Sequence, residues 1–222
     1  MNRRSPRFLF EAIFDSAYLI FTLVAGIYLL MTASSTSTPR FLYGCMALIL
    51  GIGDSFHLIP RILSVLRGTT NHLEKFLGYG KMVTSVTMTV FYGFLYLIWT
   101  RQYPQFSISV LIPLFLLVLM VVRIILCFDS RNDWGHPATT AKWSFYRNLP
   151  FVGIGLIIVL LYFYSSVQVK DSLQLLPVAV ILSFAFYLPV ALYAHKKPML
   201  GMLMLPKTLA YVWIICMGFS LS

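Results

Sequence analysis

The sequence predicts an all-α, polytopic transmembrane bundle of seven helices, and three observations lead there. Of 222 residues, 59% are hydrophobic and only 11% charged, and the apolar residues come in long uninterrupted blocks instead of stripes. Seven blocks reach the roughly 20 residues that a helix needs to cross a hydrocarbon core of about 30 Å. The basic residues then sort by connection. Arg3, Arg4, Arg7, Arg61, Arg67, Lys75, Lys81, Arg123, Arg131, Lys142, Arg147, Lys196, Lys197 and Lys207 fall on one side, against Arg40, Arg101 and Lys170 on the other. The positive-inside rule therefore places the N-terminus in the cytosol and the C-terminus outside. Charge sorted in this way is a topological signal, and the net charge of +10 gives no support for nucleic-acid binding.

The blocks run over 10–32, 41–60, 78–99, 107–127, 149–167, 173–194 and 198–220. The first follows a basic start, "MNRRSPRF", but its apolar run exceeds the usual 7 to 15 residues of a signal-peptide core, so it reads as a span; it carries Asp15 and Ser16. The second begins after Arg40 and ends in "GIGDSFHLIPRI". Lys81 opens the third, whose outer end, with Tyr96, Trp99 and Tyr103, resembles an aromatic interface belt. Arg123 lies near the cytosolic end of the fourth. A turn-rich connection, "DSRNDWGHPATTAKW", leads to the fifth span behind Arg147. The sixth closes at His195, and the seventh starts at Pro198 or Pro206. The earlier start gives the better length and buries Lys207 by about 13 Å.

No linker divides residues 1–222, so one domain is expected, with a possible 3+1+3 parallel repeat in which Arg7, Arg61 and Lys81 match Arg147, Lys196 and Lys207. Cys45, Cys127 and Cys216 lie in different spans and read as apolar packing residues.

Function is expected where polar groups enter the membrane. Counting from Arg40, Asp54 lies about 21 Å across the core. His57 and Arg61 follow on the same helical face by the i, i+3, i+7 rule. Lys81, Arg123 and Lys207 fall at similar depth, which predicts a cytosol-facing polar pocket, because ionised groups in hydrocarbon turn to the bundle interior and find partners. Asp54 and Lys207 are one possible pair. Pro60 would free the carbonyl of Phe56 beside His57. Asp54 and His57 alone do not make a metal site, no Gly-x-Ser-x-Gly elbow occurs, and no cofactor is implied.

At "GDSFHLIPR" the second helix resembles the signature helix of the lysoplasmalogenase-like (YhhN) family, through Gly53, Asp54, Leu58, Ile59, Pro60 and Arg61. The third span, with Gly80 and Tyr92, and the last, with Thr208 and Tyr211, are similar to the family's corresponding helices. The family usually has eight spans and a second carboxylate late in the chain, where this sequence offers Tyr187 and no acid. The resemblance implies hydrolysis of the vinyl-ether bond of lysophospholipids, with Asp54 and His57 as catalytic groups. Arg61, Lys81, Arg123, Tyr187, Lys207 and Tyr211 would bind the lipid. Two other classes stay open: a small-solute or lipid carrier, and a non-catalytic lipid-binding membrane protein.

Overall fold

A computed structural model describes residues 6–68, 70–135, 141–193 and 197–221. Seven helices follow in chain order: α1 (Pro6–Met31), α2 (Pro39–Arg67), α3 (Asn71–Gln102), α4 (Leu111–Phe128), α5 (Ala141–Gln168), α6 (Leu176–Tyr193) and α7 (Met204–Met217). Each helix, taken for α7 with its flanking 3-10 turns, is long and apolar enough to cross a membrane. The protein is a multi-pass membrane protein built as a helix bundle.

Several boundaries move relative to the sequence expectation. α2 continues through Pro60 to Arg67, because the bundle holds the flanking turns. The carbonyl of Phe56 packs against Gly80, where a Cβ would strike it, so it does not face the site, and Phe56 is absent from the cavity wall. α3 begins before the expected residue 78. Thr70 caps it by accepting from the amide of Leu73, and Glu74 occupies its first turn. That polar turn lies outside the apolar block, so hydropathy does not detect it. The seventh span follows the earlier of the two proposed starts, running over Met199–Ser220, but it opens as a 3-10 turn over Pro198–Leu203 and becomes α-helical only from Met204.

Neighbours in sequence are neighbours in space, with α3 also touching α5 and α7 returning to α1. Close contact between α2 and α3 depends on small residues: Gly53 faces Thr87, and Gly80 faces the backbone at Phe56 and His57.

The half of the bundle near the α3–α4 and α5–α6 connections is tightly partnered. Trp99 Nε1 donates to Ser165 Oγ (2.6 Å) and the Leu161 carbonyl (3.0 Å). Tyr103 donates to Asp171 (2.9 Å), and Tyr162 to the carbonyl of Leu95 (2.8 Å). Arg40 ties the α1–α2 connection to the segment after α7 by donating to the carbonyls of Phe219 and Leu221 and to Thr32 Oγ1. Trp99 and Tyr103 are 1% and 2% exposed, which corrects their reading as an interface belt. Their polar tips find protein partners in place of head groups. Tyr43 Oη is the exception here, buried without a hydrogen-bond partner.

Candidate functional site

In the opposite half, all seven helices surround a cavity of about 490 Å³, with α1 contributing Asp15, and α2, α3, α4, α5, α6 and the α7 segment supplying the rest of the wall. All eight residues singled out from the sequence line it: Asp54, His57, Arg61, Lys81, Arg123, Tyr187, Lys207 and Tyr211. His195 and Lys196 lie outside the described residues.

The acidic side is built by α1 and α2. Asp54 is buried and accepts a hydrogen bond from Tyr18 Oη at 2.7 Å. One turn along α2, His57 Nδ1 lies 2.8 Å from Thr84 Oγ1, and Thr84 donates to the carbonyl of Gly53 at 3.1 Å. Thr84 has a single proton, so that arrangement puts the hydrogen of neutral His57 on Nδ1 and leaves Nε2 as a lone pair. Two turns beyond Asp54, Arg61 Nη2 contacts Glu11 Oε2 at 2.5 Å, and Nη1 lies 3.6 Å from Asp15 Oδ2. Arg61 is therefore held by α1 and is not a free cation at the lip of the pocket. Asp15 Oδ2 is buried without a hydrogen-bond partner.

Asp54 and Lys207 do not form the expected pair. Among the described residues, the ion pairs within 4.0 Å involve Arg61 and Arg131 only. The Lys207 ammonium sits 5.2 Å and 5.0 Å from the ring centroids of Tyr187 and Tyr211, within the range of cation–π attraction.

The basic side is built by α4, α5 and the turn between them. Arg123 is 1% exposed, with its guanidinium over the Phe151 ring at 3.3 Å and both Nε and Nη1 lacking a hydrogen-bond partner. Arg147, also buried, donates from Nη1 to Asn132 Oδ1 (2.8 Å) and lies over the Trp134 ring (4.1 Å), while its Nε has no partner. The turn that anchors Arg147 also closes α4, because Asn132 Nδ2 and Trp134 Nε1 donate to the carbonyls of Leu126 and Cys127. Gly78 lets this turn approach, since a Cβ there would strike the Trp134 carbonyl. Tyr187 donates to Asn148 Oδ1 at 2.8 Å, fixing its ring beside Lys207.

Outside the spans, Asp129 accepts a two-pronged contact from Arg131 at 2.9 Å and 2.7 Å, and these bonds hold its carboxyl down to about 2.

No family model, curated protein or solved structure matches this chain. The chemistry therefore has to be read from the site itself.

Sequence reasoning did not identify Glu11, Tyr18, Thr84 or Arg147 as parts of the site, and it ranked Asp15 below Asp54. The i, i+4 spacing of Glu11 and Asp15 on one face of α1 was the available signal. The cavity wall carries Arg61, Lys81, Arg123, Arg147 and Lys207 against Asp15 and Asp54. This excess of positive charge, with donors left free, is suited to an anion.

Proposed function

We propose that this membrane protein is a lysoplasmalogenase-like hydrolase acting on vinyl-ether lysophospholipids. The basic half would face the cytosol, as the distribution of Lys and Arg suggests. The observation that carries the reading is the meeting of two buried carboxylates, Asp54 and Asp15, with an excess of cations in one intramembrane cavity. The missing late carboxylate of the resembling family has a substitute in Asp15, supplied from α1.

In this mechanism Asp54, hydrogen-bonded to Tyr18, delivers a proton to the alkenyl carbon remote from oxygen. The resulting oxocarbenium takes up water at the carbon bonded to oxygen, and Asp15 Oδ2, free of hydrogen bonds, accepts the proton lost by that water. The hemiacetal then collapses to a fatty aldehyde and the free glycerol hydroxyl, its own hydroxyl proton passing to the departing glycerol oxygen; one water is consumed, and the proton left on Asp15 passes back to Asp54 before the next turnover. His57 holds Thr84 through Nδ1 and keeps its Nε2 lone pair to assist the two carboxylates in proton transfer.

The tightly hydrogen-bonded opposite half closes the cavity from behind, which favours an enzyme or binding protein over a carrier. The test is aldehyde release from 1-alkenyl lysophospholipid by the purified protein, with the 1-acyl analogue as control. Release that disappears in Asp54→Asn, with folding retained, supports hydrolysis. Binding without any aldehyde would leave a non-catalytic lipid-binding protein, and uptake into proteoliposomes without product would indicate a carrier.

A further inference from the structure

We infer that Arg123, Arg147 and Lys207 form a subsite for a phosphoryl anion, distinct in position and partners from the carboxylate side of the cavity. The ligand class rests on the lysophospholipid reading; the subsite itself rests on donors that the protein leaves free.

Three facts single out these cations from the five in the wall. Arg61 is already engaged by Glu11 and Asp15. Lys81 lines the cavity but is exposed at the surface of the bundle, so its ammonium is not confined to the protein interior. Arg123 and Arg147 are 1% and 8% exposed, yet Arg123 Nε and Nη1 and Arg147 Nε have no hydrogen-bond partner. A buried charged donor without a partner is costly, and stable proteins seldom keep several together unless a ligand completes them.

Orientation points the same way. Phe151 covers one face of the Arg123 guanidinium and Trp134 lies against that of Arg147. A guanidinium stacked on a ring directs its N–H donors sideways in its plane, which is the geometry that receives the oxygens of phosphate. Asn132 fixes Arg147 from behind. Lys207 adds a compact charge beside the Tyr187 and Tyr211 rings, within electrostatic reach of both Asp54 and Arg123, so it stands where the acidic and basic sides of the cavity meet. A doubly or singly charged phosphoryl group between them would relieve like-charge repulsion and supply acceptors for the free donors. The carboxylates in the wall, Asp15 and Asp54, belong to the α1 and α2 side, with Arg61 and Tyr18 as their contacts. A ligand with its phosphoryl group on the basic side therefore brings a glycerol-linked ether bond toward the acids.

The experiment measures binding, not turnover, with the full chain in detergent and a 1-O-alkyl lysophospholipid that has no cleavable double bond. Monoacylglycerol serves as the uncharged comparison, and inorganic phosphate as the free anion. The lysophospholipid should bind at least about tenfold more tightly than monoacylglycerol, and Arg123→Gln or Arg147→Gln should each lose about tenfold or more of that affinity. Arg123→Lys, which keeps the charge but not the planar fork, should fall between. Arg131→Gln, outside the cavity, should bind as the parent does.

Equal affinity for the two lipids would overturn the subsite. So would unchanged lysophospholipid affinity in a folded Arg147→Gln protein, whatever happens to Arg123 variants. If inorganic phosphate binds as tightly as the lysophospholipid and the same arginine variants abolish it, the subsite stands and the lipid reading fails. Loss of aldehyde release with intact binding would instead remove hydrolysis and leave the subsite in place.

Discussion

The two halves of this bundle bury comparable chemistry and treat it in opposite ways. Around Trp99, Tyr103 and Tyr162, polar atoms in the interior meet a hydroxyl, a carboxylate or a carbonyl at hydrogen-bond distance. Around Arg123, Arg147 and Lys207, charged donors lie in a cavity with aromatic faces for neighbours. The first half is what a bundle needs in order to be stable in hydrocarbon, where unsatisfied groups are expensive. The second leaves charged donors unsatisfied, which costs local stability, and the proposed subsite would account for that cost. Among the described residues, five buried side-chain atoms lack hydrogen-bond partners; Tyr43 Oη belongs to the first half, and the others are on Asp15, Arg123 and Arg147.

Arg61 is the satisfied exception in the basic half, and its removal should have the largest effect. Arg61→Met leaves Glu11 and Asp15 facing each other without a cation. Its side chain is 32% exposed, so a loss near the low end of the range for a broken buried pair is expected, about 3 kcal/mol. A melting temperature in detergent close to the parent's would show that the pair holds nothing together.

Tyr103→Phe exports the unsatisfied condition to the well-partnered half. It deprives Asp171 of one donor, leaving those from Gln102 and the Leu173 amide, and should cost about 1 to 3 kcal/mol in denaturant or thermal unfolding. Activity should follow only the folded fraction.

The reverse substitution, Lys207→Met, removes an unpaired charge and keeps the volume. Here thermal stability should stay level or rise while lysophospholipid affinity falls. A marked drop in melting temperature would mean that Lys207 is structural and would erase the contrast between the halves.

The smallest effect is expected outside both. Asp129→Asn should leave melting at neutral pH nearly unchanged, because its pair with Arg131 lies at the surface outside the spans, where such pairs contribute little. The sign with pH follows from its lowered value: the carboxylate's contribution is present above about 4 and is lost as pH falls toward about 2. No change in stability from this loop is therefore expected between pH 7 and 5, which parallel melts of parent and variant would check.

The helices were legible because hydropathy over twenty residues records the membrane directly, and the common face of Asp54, His57 and Arg61 follows from helical spacing alone. The partners were not. That Arg61 meets Glu11, fifty positions away, depends on how α1 leans on α2, which no local pattern encodes. Arg147 looked like one more topological charge before α5, and only the placement of Asn132 and Trp134 turns it inward. Trp99 and Tyr103 were read as interface residues because aromatic type does not reveal which way a helix face turns.

The bond between Arg61 and Glu11 also has a history within each molecule's synthesis. α1 emerges from the ribosome with two acidic side chains while the fifty residues up to their counter-ion are still unmade, a delay on the order of 3 to 10 s at ordinary elongation rates. Glu11 and Asp15 lie within the first two turns of the span Phe8–Met31, where an acidic side chain still disfavours insertion, though by less than at the centre of a helix, so α1 alone is a reluctant guest of the bilayer. Arrival of α2 neutralises it, and the first two helices then settle as a hairpin whose assembly is timed by the appearance of a single arginine.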